Sequence, residues 1–591
     1  MPRQPHRRPI EHRRRLILAA APLAVAALVL AGCATQTVAS TNTATTDATT
    51  TETAAVVDSD LSAAAVLAAN ADVTVVKDDE WGETDAADIT LSGSSASSDS
   101  GAVSVDGSTV TITEAGVFRL SGSLDGQVVV AAPGDAQVVL ILDDVEIAAS
   151  DSPAITVTSA DDVAISLAAG SENSVSDASS YADDADANAA IYADTDLTIS
   201  GTGALSISGN GNDGVTSTDD LVILSGEITV DAADDALRGK DSLTVEGGTL
   251  ELTAGGDAFK SDQADDAAQG FVAITGGTVT ATSGDDAIAA ATDAVVTGGT
   301  LSLTAGTDAS TSDDSPKGVT AGVVVAIDGG DVTIEAADDA VHSDGSVGIG
   351  GGTVTVSAGD DGIHAEQRLE IRDGDVTVAE SNEGLEATDV AISGGTVDIT
   401  SSDDGVNGAG GTASDTQGGG MGGGMSGGGE QDTGETITIS GGNVRVAAVG
   451  DGLDSNGTIS ITGGTTVVSG PSSAGGQGAL DANGAITIDG GEVFVAGSVL
   501  VTPTGSQQWV AATASGSAGD TVEVTDASGT VIASFDADQS FGAVFYSGPG
   551  VADGGSFTIT VNGVTAATVS EGVDVSGGGM GGGMGGGGRR P

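Results

Sequence analysis

Between residues 240 and 500, apolar and polar residues alternate in short runs that follow pairs of glycines. In the stretch Gly351–Ala365, Val354 and Val356 come two and four positions after Gly352, and Ile349 precedes the glycine pair. The arrangement recurs, and the closest glycine pairs are 21 or 22 residues apart. A period of two predicts β-strands, and paired glycines predict sharp corners between them. No part of this region has a helical period over a useful length.

A repeat of this length with two or three short strands cannot bury its own apolar face, whereas stacked repeats can. The pattern therefore predicts an all-β fold, a parallel β-helix with about 22 residues per turn over residues 76–496, its turns about 4.8 Å apart. Aromatic residues make up only 2% of the chain, which suits a narrow interior. A leucine-rich repeat would need a leucine and asparagine pattern that is absent. A β-sandwich would not keep one phase over so many repeats.

Acidic residues occupy the same two positions in most repeats. The second position lies nine residues after the second glycine, and an apolar residue returns two positions later, so the acids mark a corner. Asp308 continues the second column by its spacing. The predicted metal-binding residues are Asp234, Asp235, Asp257, Asp285, Asp286, Asp338, Asp339, Asp360, Asp361, Glu383, Asp403, Asp404 and Asp451.

Stacking would place the carboxylates of one column about 5 Å apart. Two such charges repel by about 3 kcal/mol at an effective dielectric constant of 20. Carboxylate and carbonyl oxygens are hard ligands suited to Ca²⁺, so the sequence predicts several calcium ions between the acids. The alternative is that the acids are simply solvated and splayed apart. The calcium-binding nonapeptide GGxGxDxUx of secreted toxins is a poor match, because the third glycine is missing and the unit length differs.

The formal net charge is −69, from 86 acidic and 17 basic residues. This charge repels nucleic acid and anionic membranes and attracts cations. Adaptation to high salt is an alternative explanation for the surplus of acids. The regular spacing of Val, Ile and Leu argues against the disorder that such acidity often indicates.

Residues 1–32 have the organisation of a secretory signal peptide. Six arginines in the first fifteen residues precede an apolar run over residues 16–31, which is short for a membrane span. The run ends directly before Cys33, the one cysteine of the chain, and resembles the lipobox of bacterial lipoproteins. We therefore expect lipidation of Cys33, a flexible tether over residues 33–75, and a lipid-anchored location on the extracellular side of the cell membrane. An uncleaved anchor is the alternative.

Three further segments differ from the repeats in composition. A glycine- and methionine-rich insertion covers residues 415–433, and a disordered glycine-rich tail covers residues 576–591. Between the repeats and the tail, residues 497–575 read as a β-rich C-terminal segment. The methionines of the glycine-rich segments are interpreted as parts of linkers, because no histidine or cysteine accompanies them.

The G-G-T-V-x-I/V unit, followed by D-D-G/A-I/L/V, resembles a family of secreted bacterial carbohydrate-binding parallel β-helix proteins. The resemblance extends to residues 108–130 and 138–173 before the repeats and to residues 520–549 after them, so that it covers about residues 85–570. It implies a right-handed β-helix that holds several Ca²⁺ ions and binds cellulose and acidic polysaccharides such as polygalacturonate. The acid columns are the positions that would match the calcium sites of the family.

The aromatic residues favour an acidic polysaccharide over cellulose, because a flat glucan usually needs a strip of aromatic rings. The chain has two tryptophans and three tyrosines, none at repeat spacing, and they are interpreted as packing residues at the ends of the helix. A polyuronate can instead bind an acidic protein through shared Ca²⁺. The five residues are Trp81, Trp509, Tyr181, Tyr192 and Tyr546.

A calcium-dependent, pectate-lyase-like polysaccharide lyase is the main alternative, since such an enzyme needs a basic side chain to take a proton. Arg238 and Lys260 are the candidates, twelve residues after the reference glycine in successive repeats, although both could instead form salt bridges with the acids. Thr311 falls at the same position by spacing. His342 and His364 also occupy it, one turn apart, and could hold Zn²⁺ or be an exposed stacked pair.

A third alternative is a non-catalytic, adhesive surface rod that needs no sugar site. The preferred interpretation is a monomeric, calcium-loaded surface lipoprotein that binds a uronic-acid-rich polysaccharide and no nucleic acid. Lyase activity and the structural role stay open at this point.

Overall fold

The protein was analysed as a computed structural model, which describes residues 60–182, 185–306, 315–410, 432–471, 478–498 and 502–573. The expectations for the signal peptide, Cys33, residues 33–59, nearly all of the 415–433 insertion and the tail lie outside these residues. Within the described ranges, no helix is long and apolar enough to cross a membrane.

Within the described ranges, regular structure comprises one α-helix, one 3₁₀ helix and many short strands. The helices are α1 (Ala63–Ala69) and the 3₁₀ turn Glu83–Asp85. The strands before the glycine-pair repeats are β1 (Ala87–Gly93), β2 (Ala96–Ser97), β3 (Val103–Asp106), β4 (Thr109–Ile112), β5 (Gly116–Leu124), β6 (Gln127–Ala131), β7 (Gln137–Ala148), β8 (Ile155–Ser159), β9 (Asp162–Leu167), β10 (Glu172–Ser176), β11 (Ala189–Ala193), β12 (Asp196–Gly201), β13 (Ala204–Gly209), β14 (Asp213–Ser217) and β15 (Asp220–Ile223).

The glycine-pair repeats and the C-terminal segment supply the remaining strands. Those of the repeats are β16 (Glu227–Ala232), β17 (Leu237–Gly239), β18 (Ser242–Val245), β19 (Thr249–Ala254), β20 (Phe259–Ser261), β21 (Phe271–Ile274), β22 (Thr278–Ser283), β23 (Ile288–Ala290), β24 (Asp293–Val296), β25 (Thr300–Ala305), β26 (Val319–Ala321), β27 (Val324–Ile327), β28 (Asp331–Ala336), β29 (Val341–Ser343), β30 (Ser346–Ile349), β31 (Thr353–Ala358), β32 (Ile363–Ile371), β33 (Asp375–Glu380), β34 (Leu385–Ile392), β35 (Thr396–Ser401), β36 (Val406–Gly408), β37 (Thr436–Ile439), β38 (Asn443–Ala448), β39 (Leu453–Ser455), β40 (Thr458–Ile461), β41 (Thr465–Ser469), β42 (Ile486–Ile488) and β43 (Glu492–Gly497). The C-terminal strands are β44 (Trp509–Gly516), β45 (Thr521–Thr525), β46 (Val531–Asp536), β47 (Phe541–Ser547), β48 (Ser556–Val561) and β49 (Val564–Ser570).

Successive repeats pair in parallel along three faces. In one coil, β16, β17 and β18 follow one another, and they pair in parallel with β19, β20 and β21 of the next coil. We call the faces that contain β16, β17 and β18 faces A, B and C. Leu250 on face A pairs with Ile228, and Phe259 on face B pairs with Leu237, each 22 positions earlier. The all-β prediction and the parallel stacking of the repeats are confirmed, and right-handedness stays a prediction.

Alternate side chains of every face point into one interior. On face A, Leu250 and Leu252 of β19 and Val354 and Val356 of β31 are at most 1% exposed. They belong to a continuous apolar cluster of buried residues that spans the coils. The period-two pattern thus marks the inward positions, and the intervening polar residues of face A face solvent.

The second glycine of each pair forms the corner between faces C and A. Gly352 has a φ of 84°, a conformation that side chains with a Cβ disfavour. A Cβ at this position would also lie only 2.7 Å from the carbonyl oxygen of Gly330, one coil earlier. Backbone conformation and close stacking therefore both require glycine, which explains why the pair recurs.

Residues 60–75, predicted to belong to the flexible tether, instead pack against face C. Helix α1 begins after Ser62, whose hydroxyl accepts a hydrogen bond from the Ala65 N–H at 3.3 Å. Val66 of this helix is buried together with Val295 and Val324 of the strands β24 and β27. The tether prediction is therefore wrong for these residues, because the helix has an apolar face and a matching apolar surface.

The chain after α1 continues across neighbouring strands of face C. The Thr74 N–H donates to Asp220 Oδ2 at 2.8 Å, and the Val76 N–H donates to Thr198 Oγ1 at 3.1 Å. Residues of face C that would otherwise point into solvent are consequently buried, and strands such as β18 and β30 are buried at all four positions. Faces A and B remain accessible.

The C-terminal segment ends the parallel stack. Strand β43 pairs in antiparallel fashion with β47, which also pairs with β44. Strands β46, β45, β48 and β49 form a separate antiparallel sheet. Phe494, Phe535 and Tyr546 join the two parts in a second apolar cluster.

Candidate functional site

The second acid of each pair lies at the corner between faces A and B, where most are buried and Asp286, Glu383 and Asp404 are half-buried. Asp235, Asp257, Asp339, Asp361 and Asp451 are between 3% and 7% exposed. In most rungs the carboxylate accepts a backbone hydrogen bond from the next coil: the Asp257 N–H donates to Asp235 Oδ1 at 2.9 Å, and the Asp361 N–H to Asp339 Oδ1 at 3.0 Å. We call this column the acid ladder, and its members are Asp213, Asp235, Asp257, Asp286, Asp339, Asp361, Glu383, Asp404 and Asp451.

The first acid of each pair has a different environment. Asp234, Asp360 and Asp403 are exposed, and Asp285 and Asp338 are half-buried. The two predicted acid columns therefore lie side by side, and the first is the more exposed of the two.

A glycine or alanine follows every acid of the ladder. A Cβ on Gly362, which follows Asp361, would lie 2.6 Å from the carbonyl oxygen of Gly384 in the next coil. The next residue, Ile363, is fully buried. The small residue allows close stacking and the apolar residue anchors the strand, so this short motif fixes each carboxylate at the corner.

A second column, on face B, runs beside the ladder. Each coil pairs with the next through three residues on face B. The second column consists of the middle residue of each three, which is half-buried between two buried neighbours. We call it the facing column, and its members are Arg238, Lys260, Ala289, Thr320, His342, His364, Glu386, Asn407 and Asp454.

The strand pairing assigns one coil differently from the spacing. Counting predicts Asp308 for the ladder and Thr311 for the facing column, but both lie outside the described residues. Lys317 occupies the ladder position, since its N–H donates to Asp286 Oδ1 at 2.7 Å. Thr320 takes the place in the facing column. The residues inserted after Gly306 shift the phase of this coil.

Basic side chains accompany the first part of the ladder. Lys260 Nζ lies 3.1 Å from Asp235 Oδ2 and 2.8 Å from Asp257 Oδ2, and so bridges two successive rungs. Arg238 contacts Asp262 at 2.5 Å. Although burial acts in the opposite direction, the two carboxylates raise the pKa of Lys260. The two lyase candidates are thus members of ion pairs.

Lys317 and His342 partner the next acid. Lys317 Nζ contacts Asp338 and lies 3.4 Å from Asp339 Oδ2, and His342 Nδ1 lies 2.9 Å from the same oxygen. Burial opposes the shift, yet the hydrogen bond from His342 and the proximity of His364 and Lys317 lower the pKa of Asp339. Against the effect of burial, hydrogen bonds to carboxylates raise the pKa of His342 to about 9.

The remaining acids lack lysine and arginine partners in the described part of the chain, although His364 Nδ1 lies 3.6 Å from Asp361 Oδ2. Among the described residues, no lysine or arginine forms an ion pair with Asp361, Glu383, Asp404 or Asp451. Burial and nearby carboxylates raise the pKa of Asp404 to about 7 and that of Asp451 to about 6. They also raise the pKa of Glu386, in the facing column. We call the rungs from Asp213 to Asp339 the cation-paired half of the ladder, and those from Asp361 to Asp451 the acid-only half.

A cleft of about 610 Å³ lies at the boundary between the two halves. His342, His364, Glu383, Glu386 and Asn407 are among the residues that line it. None of the described lining residues is Trp, Tyr or Phe. Its walls offer carboxylates, amides and imidazoles, which suit metal coordination and hydrogen bonds to hydroxyl groups better than ring stacking.

Aromatic residues contribute to packing elsewhere. Trp509 stacks on Phe545 with the ring centroids 5.6 Å apart, and Tyr546 is fully buried in the C-terminal part. Trp81 packs against the apolar cluster that includes Val76.

Sequence spacing overlooked two residues of the ladder. Asp213 has no acidic neighbour before it, but the Asp213-Gly214-Val215 motif lies 22 positions before Asp235 and could have identified it. Lys317 was overlooked because it is not acidic, although Gly318 and Val319 follow it in the same pattern. The small residue and the apolar residue that follow a ladder position therefore identify that position better than the acidic residue does.

The fold and the site define a class: an all-β protein of stacked parallel coils with a row of carboxylates along one corner. Residues 106–362 match the family model described as carbohydrate-binding domain-containing protein. This match includes the cation-paired half of the ladder and the first acid of the acid-only half.

Two known proteins are similar to parts of the chain. A carbohydrate-binding domain-containing protein of Acetivibrio thermocellus is 39% identical over 135 residues, which cover 22% of this chain and 47% of that protein. The match thus spans about half the length of the relative. A solved structure of the polysaccharide lyase-like protein from C. thermocellum, a gadolinium derivative, is 30% identical and covers 50% of this chain and 99% of that chain, with a TM-score of 0.36.

Proposed function

We propose that the chain binds polysaccharide, and that acidic, polygalacturonate-like polymers bind along the ladder through shared Ca²⁺ ions. The observation that carries the proposal is the row of carboxylates in the acid-only half, which no described lysine or arginine neutralises. The match of residues 106–362 to a carbohydrate-binding family supports a polysaccharide as the ligand. Cellulose is the less favoured ligand, because the described residues of the cleft include no aromatic platform.

The donor atoms fit calcium. Asp338, Asp339 and Asp360 each offer an oxygen, and the three oxygens lie within 4.8 Å of one another, although Lys317 Nζ, which contacts Asp338 and lies 3.4 Å from Asp339 Oδ2, competes with an ion there. Carboxylate oxygens in such a group are hard ligands of the kind that Ca²⁺ prefers. In the acid-only half, Glu383 and Asp404 would hold the ion together with backbone carbonyl groups. A bound Ca²⁺ would supply the positive charge that lets an anionic polymer approach an anionic protein.

The cation-paired half fits calcium less well at one place. Lys260 Nζ already bridges Asp235 and Asp257, at the position where a metal ion would otherwise lie. We therefore propose that metal binding is concentrated on the acid-only half and on the exposed acids beside it.

A lyase is the weaker candidate. A general base must be able to release its own proton and accept another near neutral pH. The carboxylates around Lys260 raise its pKa, and the contact with Asp262 has the same effect on the pKa of Arg238, although burial opposes both shifts. Both side chains therefore stay protonated and act as partners of the ladder.

The proposal also includes the location. Lipidation of Cys33 would hold the protein on the extracellular side of the cell membrane, where polysaccharides are accessible. This part rests on residues 1–33 of the sequence, which lie outside the described residues.

The test is affinity electrophoresis of the protein through gels with polygalacturonate, with Ca²⁺ and with a chelator. The variant D361N/E383Q/D404N should lose the retardation that Ca²⁺ causes. The control D331N/E335Q/D375N removes the same charge from exposed positions of face A and should keep it. Retardation that is equal with chelator would contradict the calcium bridge. No retardation in either gel would favour the structural rod, and unsaturated chain ends in the recovered polymer would favour the lyase.

A further inference from the structure

The two histidines of the facing column lie on consecutive coils at the edge of the cleft. His342 of β29 pairs with His364 of β32, and their ring centroids are 4.9 Å apart in an edge-to-face arrangement. The side chains are only 12% and 16% exposed. Both rings turn their Nδ1 atoms toward carboxylates of the ladder.

The distances around the rings suit a small metal ion. His342 Nδ1 lies 2.9 Å from Asp339 Oδ2. His364 Nδ1 lies 3.7 Å from the same oxygen and 3.6 Å from Asp361 Oδ2. Four ligands at the Zn–N and Zn–O bond lengths of proteins would be separated by about 3.3 Å in a tetrahedron. The observed separations lie on both sides of this value.

His364 has no hydrogen bond of normal length. Its Nδ1 contacts, at 3.6 and 3.7 Å, exceed the usual N–H···O range. Its Nε2 is buried and has no partner among the described residues. Buried polar atoms normally have a hydrogen-bond partner, so it is unusual that neither nitrogen of His364 has one among the described residues, in a site rich in carboxylates.

We propose that His342, His364 and Asp339, whose ligand atoms all lie within 4.8 Å of one another, bind one transition-metal ion of the Zn²⁺ type, with the fourth ligand position open to water. Imidazole nitrogens suit Zn²⁺, Co²⁺ or Ni²⁺, whereas calcium sites are built from oxygen. The two rings therefore give this end of the cleft a different metal preference from the all-oxygen acid-only half.

The surroundings support this geometry. His342 Nε2 lies 3.3 Å from Asp344 Oδ1, so a carboxylate orients the ring through the nitrogen that faces away from the metal, as around many zinc sites. Lys317 Nζ, 3.4 Å from Asp339 Oδ2, opposes a cation. Lys317 itself contacts Asp338, and Asp360 also lines the cleft, so nearby acids offset this single charge.

Calorimetric titration of the protein with Zn²⁺, in a large excess of Ca²⁺ and without an added histidine tag, tests the proposal. One equivalent of Zn²⁺ should bind despite the Ca²⁺, and Co²⁺ should give the visible absorption of a tetrahedral site. H342Q and H364Q should each weaken the binding of Zn²⁺ by about 100-fold or more, and D344N by about 10-fold. The control E366Q changes a cleft residue outside the cluster and should leave binding unchanged.

Equal Zn²⁺ binding by the double variant H342Q/H364Q would overturn the proposal, as would complete displacement of Zn²⁺ by Ca²⁺. If the histidine variants do not fold, judged by circular dichroism, the Co²⁺ spectrum of the unaltered protein decides, and an octahedral spectrum contradicts the site. Calcium-dependent retardation by polygalacturonate in the double variant is a separate readout. If the double variant keeps the calcium-dependent retardation but loses Zn²⁺ binding, both proposals are supported. If the unaltered protein shows no such retardation, only the proposal of calcium-dependent polysaccharide binding is contradicted.

Discussion

The two halves of the ladder share one backbone arrangement but differ in how their charge is balanced. In both, a carboxylate at the corner accepts a backbone N–H of the next coil, as at Asp235 and Asp404. In the cation-paired half, every acid except Asp286 has a lysine or arginine side-chain nitrogen of the described chain within 4 Å, although burial still raises the pKa of Asp213 and Asp286 to about 7. In the acid-only half, the described residues supply no lysine or arginine. The backbone contacts of the ladder therefore support the stacking of coils in both halves, whereas the acid-only half is the one with carboxylates available to bind added cations.

The contrast is sharpest between two successive acids. Partners from His342, His364 and Lys317 lower the pKa of Asp339 against the effect of burial. Burial, together with the charges of Asp339 and Glu383, raises the pKa of Asp361 on the next coil. The pKa values of two acids on successive rungs are thus shifted in opposite directions, because their neighbours in the facing column differ.

Replacing Lys260, whose ammonium group bridges two rungs, should leave this part of the cation-paired half without a balancing cation, as in the acid-only half. K260M keeps the length of the side chain and removes its charge, leaving Asp235 and Asp257 close together without a partner. We expect the free energy of unfolding in chelator to fall by about 2–3 kcal/mol, because a buried ion pair loses one partner. Urea denaturation measures this loss. Addition of Ca²⁺ should restore more stability to K260M than it adds to the unaltered protein.

The control for this experiment is K240M, which removes an exposed lysine outside the ladder. It should change stability by less than about 0.5 kcal/mol. A K260M protein as stable as the unaltered one would show that the ammonium does not balance the ladder, and the distinction between the halves would fail.

The same substitution should have opposite effects in the two halves. D235N removes a charged partner of Lys260 and should destabilise the protein by about 1.5–3 kcal/mol. D404N keeps an oxygen that can accept the Asp451 N–H and removes a charge near other carboxylates. In chelator at neutral pH it should therefore leave stability unchanged or raise it by about 1 kcal/mol. Thermal and urea denaturation of the two variants test the difference, and a loss of similar size in both would contradict it.

Much of the fold follows from the repeat because the period-two pattern and the glycine pairs report local requirements. Val354 and Val356 must point inward, and Gly352 must turn with positive φ, whatever lies elsewhere in the chain. The segment over face C could not be inferred in the same way. Small or apolar outward residues such as Val295 and Gly348 indicate a covered surface, but they do not show that residues 60–76 cover it.

The candidate site was predictable as a column of acids but not as two halves. Spacing alone brings the acids together, and the pairing confirms the alignment of Asp235 with Asp257. The phase shift that puts Lys317 on the ladder depends on an insertion whose length has no local signal. The direction in which Lys260 points, between two rungs, depends on the coil geometry. Charge balance is therefore a property of the assembled stack.

The smallest expected effect is on the pH dependence of stability in chelator. The raised pKa values of Asp404, about 7, and Asp451, about 6, mean that the folded state keeps protons that the unfolded state releases above about pH 4. These groups contribute stability at low pH that is lost as the pH rises through about 6 to 7, with a slope of up to about 1 kcal/mol per pH unit. D404N should flatten this slope in urea denaturation between about pH 5 and 8.

The matched variant for the pH experiment is D339N. Because the pKa of Asp339 is lowered, its contribution is lost only as the pH falls, well below the tested window. D339N should therefore reduce stability and, because His342 loses the carboxylate that, against the effect of burial, raises its pKa to about 9, should change the slope mainly above about pH 6.5, whereas D404N should change the slope below about pH 7. Ca²⁺ should flatten the slope of the unaltered protein as well, since a bound cation favours the ionised carboxylates. A slope that neither D404N nor Ca²⁺ changes would mean that the acid-only half does not hold its protons at neutral pH.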